Sequence, residues 1–420
     1  MEIQPDYIDR GIADFVVTAM AEARVVAILG ARQAGKTTLA QVLAERDLGA
    51  GYVTLDTEAV RSLAESDPDG FVAGLKTPIV IDEIQRVPAL LIAIKAVVDQ
   101  DDRRGQFLIT GSANLRRIPM VVDALPGRVD YRTLWPLAQA EIEGTSGRLL
   151  PRLFAGRPPL LARQPVGIAA HAERLIAGGL PESLRRSDAT RQRFLRDYAE
   201  SVVERDLAET SRVRDPAAVA QTLLLIAARS AGLARWDQLG RDTAVDGKTA
   251  KAQVEALERL YLVRVRRPWR VNLGKRQVKA PKLYIADSGL QAALTGTDAA
   301  RLASNPGIAG SMVETFVVNE VERLASWTEP AVSLWHYRED RREVDLIAES
   351  PSGDIVAIKV KSSAGIRARD FSGLVHLKER LGDRFKAGVV VHLGSQTLPR
   401  GDRLWALPIT ALWTDPVGPN

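Results

Sequence analysis

A chain of 420 residues is too long for one ordinary hydrophobic core, so its length predicts roughly two to four domains. Its composition, 46% hydrophobic and 26% charged with 57 basic against 52 acidic residues, excludes a disordered or membrane-embedded chain. The lack of cysteine excludes disulfides, thiolate metal sites and cysteine nucleophiles, and the four histidines are scattered without metal-ligand spacing. Because the sequence shows neither a signal peptide nor an apolar run of about 20 residues, we expect a cytoplasmic protein with no membrane partner.

The first 143 residues alternate apolar runs with helical patterns. The runs at 25–29, 52–56, 78–82 and 106–110 predict strands, and their continuous apolar composition suits a parallel sheet that is buried on both faces. Amphipathic stretches between these runs predict crossover helices, and the alternation indicates an α/β fold. We therefore assign residues 1–143 to the first domain.

The strand at 25–29 leads directly into GARQAGKT, which matches G-x-x-x-x-G-K-[ST] in full and opens a helix. Its glycines let successive backbone N–H groups point at phosphate oxygens, and the helix N-terminus adds partial positive charge. Lys36 is expected to reach the β- and γ-phosphates of ATP, and Thr37 to supply a hydroxyl to Mg²⁺. The residues predicted to bind ATP are Gly30, Ala34, Gly35, Lys36, Thr37 and Thr38.

Two adjacent acids, Asp82 and Glu83, end the third apolar run. Charges at the carboxyl end of a buried strand are costly unless a metal or a substrate meets them there. We predict that Asp82 joins Thr37 around Mg²⁺ and that Glu83 polarises the attacking water. The next strand ends in FLITGS, where Ser112, or Asn114 in its place, is expected to sense the γ-phosphate or orient the water.

Arg128 lies in the segment LPGR, just before the next predicted strand. It is a candidate arginine finger that acts either on the nucleotide of its own chain or on that of a neighbouring subunit. An ordinary surface arginine is the alternative.

The segment 144–213 joins a connection rich in Gly, Pro and Arg, at 144–167, to a charged helical pattern. In 214–306, three helical patterns followed by a two-stranded ribbon have the order of a winged helix. Eight basic residues and no acid occur between Arg264 and Lys282, which favours a surface that faces a polyanion. A lid or a subunit contact is the alternative role. The predicted DNA contacts are Lys248, Lys251, Arg264, Arg266, Arg267, Arg270, Lys275, Arg276, Lys279 and Lys282.

Six segments together make this sequence similar to one prokaryotic family. They are GARQAGKTTL, YVTLD, IVIDEIQRVP, FLITGS, AGGLPE and GKRQVKAPKLYIADSGL. The chain resembles the AAA+-type ATPases that carry a C-terminal domain of unknown function, over nearly its whole length. The resemblance implies a P-loop domain with a 5-1-4-3-2 sheet, a winged helix and a restriction-endonuclease-like terminal domain. It also implies a homo-oligomer, because a neighbouring subunit usually completes an AAA+ site.

Residues 307–420 return to an α/β pattern and form the last predicted domain. A nuclease of the kind that the resemblance implies needs an Asp on one strand and E-x-K on the next, and Asp345 and Lys361 fit, with Glu314 on a helix. Lys359 stands where the glutamate belongs, on the same strand face as Lys361. A cation there repels a divalent ion, so we expect a nuclease-like domain without nuclease activity. The alternative is that another acid, such as Asp354, replaces the missing carboxylate.

These features support three hypotheses on function. The leading one is an AAA+ protein that binds and hydrolyses ATP with Mg²⁺ and binds or remodels DNA, including branched or repair intermediates. The second is a nucleotide-dependent switch in signalling or defence that hydrolyses slowly. The third, a structure-directed nuclease, is disfavoured by Lys359.

Overall fold

The computed structural model describes residues 7–112, 127–210, 215–269, 280–340 and 342–415. The described residues form two compact units. The first contains those of Met1–Pro136, Asp206–Arg212 and Arg259–Tyr261, and the second contains those of Leu137–Arg205, Val213–Glu258 and Leu262–Asn420. Each unit has its own sheets and its own hydrophobic core.

Parallel strands form the sheet of the first unit. They are β1 (Val25–Gly30), β2 (Gly51–Thr54), β3 (Ile79–Asp82), β4 (Phe107–Gly111) and β5 (Val129–Leu134). Their order across the sheet is β2-β3-β4-β1-β5, which confirms the expected 5-1-4-3-2 arrangement. Because the strands are parallel, their carboxyl ends all lie at one edge of the sheet.

Helices pack on both faces of this sheet. Alternate residues of β1 enter two different hydrophobic clusters, with Val25, Ala27 and Leu29 in one and Val26 and Ile28 in the other. A continuous apolar strand is stable here because both of its faces are buried, and each buried Val or Leu side chain contributes about 1.5–3 kcal/mol. The helices are Ala13–Glu22, Lys36–Leu43, Glu58–Ser66, Pro68–Ala73 and Leu90–Gln100.

Most of the described residues between 137 and 305 are helical. Its helices are Gln139–Ile142, Leu149–Phe154, Ala172–Ala177, Pro181–Leu184, Asp188–Thr210, Pro216–Ala228, Trp236–Asp242, Gly247–Arg259, Ser288–Thr295 and Ala299–Ser304. A small antiparallel sheet accompanies them, with β6 (Gly232–Leu233), β7 (Val263–Arg266) and β8 (Lys282–Ile285) in the order β6-β8-β7. Within the described part of the chain, every helix is too short or too polar to cross a membrane.

The connection expected at 144–167 contains a helix, Leu149–Phe154. The sequence pattern did not predict it, because the segment is dominated by Gly, Pro and Arg. Leu149, Leu150 and Leu153 nevertheless belong to the largest hydrophobic cluster of the second unit. Burial of these leucines holds the helix in place despite its short length.

A mixed sheet lies at the carboxyl-terminal end of the second unit. Its strands are β9 (Ser333–Glu339), β10 (Arg342–Glu349), β11 (Ile355–Val360), β12 (Phe385–His392), β13 (Leu398–Pro399) and β14 (Leu404–Pro408). The order is β13-β14-β12-β11-β10-β9, with β9, β10 and β11 antiparallel and β11, β12 and β14 parallel. The helices of this region are Pro306–Ala325 and Ser372–Leu381.

Candidate functional site

The turn between β1 and the helix Lys36–Leu43 holds the predicted phosphate site. Gly35 precedes the helix with φ 95°, a conformation that residues with a Cβ atom rarely adopt. At Gly30, an added Cβ would lie 2.1 Å from the carbonyl oxygen of Leu134. Both glycines of the motif are therefore required by the backbone of this turn.

Lys36 is buried at the start of the helix, and its Nζ donates to the carbonyl oxygen of Ala31 at 2.9 Å. Thr37 and Thr38 occupy the first helical turn, where N–H groups without helical partners and the helix dipole favour an anion. The structure thus brings all the predicted ATP-binding residues into one turn. They are Gly30, Ala34, Gly35, Lys36, Thr37 and Thr38.

Arg10 supports the turn through its backbone. The side chain is buried, and it donates from Nη1 to the carbonyl oxygen of Ala34 at 2.8 Å and from Nη2 to that of Trp135 at 2.6 Å. These bonds connect the phosphate turn to the chain that follows β5. The sequence pattern did not mark Arg10, because it lies outside the motif and has no periodic relation to it.

Asp82 is buried at the carboxyl end of β3 and accepts hydrogen bonds from several hydroxyl groups. Thr37 donates at 3.0 Å, Tyr52 at 3.0 Å, Thr54 at 3.3 Å and Thr110 at 2.6 Å. Burial and the Asp82 carboxylate raise the pKa of Tyr52 well above its ordinary value, so the phenol stays protonated and donates. The predicted Mg²⁺ ligands Thr37 and Asp82 are therefore in direct contact.

Sequence reasoning missed three of these donors, although a signal for two of them was present. Tyr52 and Thr54 are two residues apart on β2, so their side chains leave the same face of that strand. Because β2 pairs with β3, that face lies beside Asp82. Thr110 lies inside FLITGS, where the prediction chose Ser112 instead.

Glu83 has left-handed backbone angles, with φ 60° and ψ 45°. A non-glycine residue in this region is uncommon and costs on the order of 1 kcal/mol, and such residues concentrate at functional sites. The N–H of Glu83 donates to Thr110 Oγ1 at 3.0 Å. Gln85 donates from Nε2 both to the Glu83 carboxylate and to Ser112 Oγ, the latter at 2.9 Å. The predicted base and the predicted sensor are thus joined through Gln85.

Arg128 lies far from this edge of the sheet within its own chain. It precedes β5, whose first residue Val129 pairs with Val25, whereas Leu134 pairs with Gly30. Arg128 is therefore at the opposite edge, about 20 Å away along the strands, and it forms an ion pair with Asp99. This position contradicts the prediction that Arg128 is an arginine finger for the nucleotide of its own chain. A role of Arg128 at the nucleotide of a neighbouring subunit stays a prediction.

Among the predicted DNA contacts, Arg264, Arg266 and Lys282 are paired with acids. Glu322 binds Arg264 at 2.5 Å and Arg266 at 2.6 Å. Arg266 and Lys282 are 6% and 3% exposed, so the structure contradicts their assignment as DNA contacts. The alternation in VRVRR indicated a solvated arginine face, but Glu322, a partly buried residue of the helix Pro306–Ala325, lies against it.

The other predicted DNA contacts fall into two groups. Lys248, Lys251 and Arg267 are exposed, and Lys251 lies 3.9 Å from Glu255 on the same helix. Their availability to a nucleic acid stays a prediction. The predicted contacts Arg270, Lys275, Arg276 and Lys279, and the substitute sensor Asn114, lie outside the described residues.

The predicted residues of the terminal domain lie on adjacent strands. Lys359 Nζ on β11 binds Asp345 Oδ1 on β10 at 2.9 Å, while Lys361 binds Asp370 at 3.2 Å. Asp354, the candidate replacement acid, instead pairs with Lys386 at 3.3 Å. Lys359 therefore neutralises Asp345, the aspartate that the nuclease motif would use as a metal ligand.

Three family models match the chain. An AAA domain matches residues 22–143, which include the phosphate turn and the two acids at the carboxyl end of β3. A domain of unknown function, DUF8612, matches residues 169–301, and another, DUF4143, matches residues 309–412. The AAA match therefore covers the described site, whereas the other two matches carry no stated activity.

Among curated proteins, two uncharacterised relatives are Rv2008c of Mycobacterium tuberculosis and Mb2031c of Mycobacterium bovis. Each is 32% identical over 404 residues, which is 94% of this chain and 82% of the relative. The solved Walker-type ATPase PABY2304 of Pyrococcus abyssi is 17% identical with a TM-score of 0.42, covering 69% of this chain and 97% of that one. A signal transduction ATPase with numerous domains, PH0952 of Pyrococcus horikoshii, is 12% identical with a TM-score of 0.24, covering 76% and 47%.

The mycobacterial relatives match nearly the whole chain, and the AAA match coincides with the phosphate turn and with Asp82 and Glu83. The chain therefore belongs to the prokaryotic family of AAA+-type P-loop ATPases that carry a C-terminal domain of unknown function.

Proposed function

We propose that this chain binds ATP with Mg²⁺ in the turn after β1 and hydrolyses it, with Glu83 polarising the attacking water. The observation that carries the proposal is the contact between Thr37 Oγ1 and the Asp82 carboxylate, at 3.0 Å, beside the N-terminus of the helix Lys36–Leu43. Phosphate recognition and hard oxygen ligands thus meet at the carboxyl edge of the parallel sheet, which is where open α/β sheets bind ligands.

The residues present fit Mg²⁺. A hydroxyl and a carboxylate are oxygen ligands of the kind that this ion prefers, and Thr37 and Asp82 supply both. When bound, Mg²⁺ neutralises charge on the β- and γ-phosphate oxygens. Tyr52 and Thr54 hold the Asp82 carboxylate in position through their hydroxyl groups.

Glu83 is the general base of the proposed hydrolysis. Thr110 fixes its backbone N–H, and the Gln85 amide fixes its carboxylate beside Ser112. A carboxylate held in this way accepts a proton from water as the oxygen attacks the γ-phosphate. Lys36, at the start of the helix, would turn from Ala31 to the phosphates when ATP enters.

Two substitutions separate binding from chemistry. Lys36→Ala should weaken ATP binding by about 100-fold or more, because a charge-assisted contact to the terminal phosphates is lost. Glu83→Gln should keep ATP affinity and slow hydrolysis by about 100-fold or more, because the amide keeps the shape but accepts no proton. Calorimetry with ATP and phosphate release measure the two effects.

The matched controls are Lys76→Ala and Glu65→Gln, which change exposed residues of the same unit. Both should behave as the native chain. Native ATP affinity in the Lys36→Ala variant would refute the phosphate site. Native turnover in the Glu83→Gln variant would place the base elsewhere.

We further propose that residues 214–306 form a winged helix that contacts DNA. The support is the order of helix, β6, two helices, β7 and β8, together with the exposed Lys248 and Lys251 at the start of the helix Gly247–Arg259. A helix of this kind presents its N-terminal residues to DNA. Binding to DNA that weakens as salt rises is the measurement that tests this proposal.

A further inference from the structure

A buried lysine ammonium lies within an acidic cluster of the second unit. Lys282, on β8, is 3% exposed. Its Nζ lies 2.6 Å from Glu343 Oε1, 2.8 Å from Glu314 Oε1 and 3.3 Å from Asp345 Oδ1. An ammonium group has three N–H donors, and these three carboxylates match them.

The acids reach this point from two different elements. Glu314 comes from the helix Pro306–Ala325, while Glu343 and Asp345 are two residues apart on β10 and so leave the same face of that strand. Tyr284, two residues after Lys282 on β8, donates to Glu314 Oε1 at 2.8 Å. Carboxylate oxygens from a helix and a strand thus converge on one ammonium group, and carboxylate oxygens are also the ligands that hard divalent ions take.

A second ammonium completes the charge balance. Lys359 Nζ lies 2.9 Å from Asp345 Oδ1, and the N–H of Val360 donates to Asp345 Oδ2 at 2.7 Å. Burial alone would raise the pKa of Asp345, but the ammonium groups of Lys359 and Lys282 bring it below its usual range. Burial and the nearby Asp345 raise the pKa of Glu314 to about 7. The cluster therefore holds close to as much positive as negative charge.

Removal of the Lys282 side chain would take away the cation that the three carboxylates share. Three acids, of which Asp345 is fully buried, would then face one another with the Lys359 ammonium on Asp345 but without the ammonium that joins all three. Such an arrangement is strongly unfavourable until a counter-ion enters or protons bind. The cluster thus requires a cation, and the chain supplies one from β8.

We propose that the Lys282 ammonium is the resident cation of the cluster formed by Glu314, Glu343 and Asp345, and that it occupies the position where a divalent ion would otherwise bind. The native chain therefore holds no divalent ion there and does not cleave a phosphodiester at this site. The Lys359 ammonium also opposes binding of a divalent ion, but the Lys282 ammonium is the group that occupies the position of the ion. Exchange of Lys359 alone leaves the Lys282 ammonium in place.

The test is Mn²⁺ binding to the nucleotide-free full chain, followed by electron paramagnetic resonance of the free ion. Four variants are compared with the native chain: Lys359→Glu, Lys282→Met, the double variant Lys282→Met/Lys359→Glu, and the control Lys361→Met. The control removes a neighbouring ammonium that binds Asp370 outside the cluster. Any weak binding by the native chain sets the baseline for all four.

The expected result is baseline binding in Lys359→Glu and Lys361→Met, and a gain of about tenfold or more in Mn²⁺ affinity in the double variant. Adding Asp345→Asn to the double variant should abolish that gain. Lys282→Met should lose thermal stability relative to the native chain, and Mn²⁺ should restore part of it. A stability gain that depends on Mn²⁺ distinguishes an emptied cation position from general disruption.

Either of two results would overturn the proposal. One is Mn²⁺ binding above baseline by Lys359→Glu with Lys282 intact, since the position would then not be occupied. The other is a folded double variant that binds Mn²⁺ no better than the native chain. If the Lys282→Met chains do not fold, Mn²⁺ binding by the Lys359→Glu chain still tests whether Lys282 occupies the cation position.

Discussion

Asp82 shows how one buried carboxylate organises this site. Its oxygens accept hydrogen bonds from hydroxyl groups on the phosphate turn, on β2 and on β4, so its position is fixed before any ligand arrives. Thr110 has a double role among these donors. Its Oγ1 donates to Asp82 at 2.6 Å and accepts the N–H of Glu83 at 3.0 Å. A single hydroxyl thus links the proposed metal ligand to the proposed base.

Thr110→Val should therefore impair hydrolysis more than binding. The substitution keeps the shape of the side chain but leaves the Glu83 N–H and one Asp82 oxygen without this partner, a cost of about 1–3 kcal/mol. We expect turnover to fall by about tenfold or more while ATP affinity changes less. Steady-state turnover and calorimetric ATP affinity, measured on the same preparations, give the two quantities.

Thr110→Ser is the matched control, because it keeps the hydroxyl and should retain turnover close to that of the native chain. A loss in the Ser variant as large as that in the Val variant would show that the site tolerates no change of this side chain, so the loss in Thr110→Val would not be due to the hydrogen bonds alone. Native turnover in Thr110→Val would show that Glu83 is positioned without this hydroxyl.

At the level of elements, the strands of the first unit followed from the sequence with small shifts at their ends. Runs such as VVAIL are apolar at every position, and only burial on both faces explains that pattern. The partners of Arg266 and Lys282 did not follow, because they come from the helix Pro306–Ala325 and from β10, far along the chain. Periodicity shows which face of a strand is polar, but the element packed on that face decides whether it is solvated.

Glu322, on the helix Pro306–Ala325, shows how an element packed against the polar face of β7 changes that face. Burial alone would raise the pKa of Glu322, but Arg264 and Arg266 on β7 lower it to about 2. A carboxyl whose pKa is lower when folded stabilises the folded state above its unfolded pKa, and this contribution is lost as the pH falls towards 2. The depression corresponds to about 3 kcal/mol at neutral pH.

Glu322→Gln should therefore lower the thermal midpoint at pH 7, with a loss of about 3 kcal/mol in stability of the second unit. The difference from the native chain should shrink as the pH falls from about 4.5 towards 3, because the native carboxylate then loses its advantage. Differential scanning calorimetry across this range measures the effect, with the exposed Glu379→Gln as control. A difference that is independent of pH would show that shape, and not charge, is responsible.

At the level of the molecule, the proposed ATP site and the proposed DNA-contacting helix belong to different units. Tyr261, two residues after the end of the helix Gly247–Arg259, belongs to the first unit, where its ring packs against Trp135 with centroids 5.7 Å apart. The Trp135 carbonyl accepts a hydrogen bond from Arg10, which also binds Ala34 in the phosphate turn. Through these contacts and the covalent chain, we expect ATP binding and DNA binding to affect each other.

DNA binding by the native chain should weaken steeply with salt, because lysine–phosphate contacts release counterions. The double variant Lys248→Glu/Lys251→Glu should bind more weakly, and the slope of log affinity against log salt should become shallower by about 2. DNA should also stimulate ATP turnover in the native chain and less in the variant. Fluorescence anisotropy with duplex and branched DNA and parallel phosphate-release assays measure both effects.

The control Lys76→Glu/Arg104→Glu makes the same change in net charge at exposed residues of the first unit. It should keep the native salt slope if the helix Gly247–Arg259 makes the contact, because residues that do not contact the phosphates release no counterions. Equal losses in the two double variants would indicate general attraction and remove the winged helix as the contact. Native binding and turnover in Lys248→Glu/Lys251→Glu would favour a lid or switch role, since the exposed start of this helix would then face protein and not DNA.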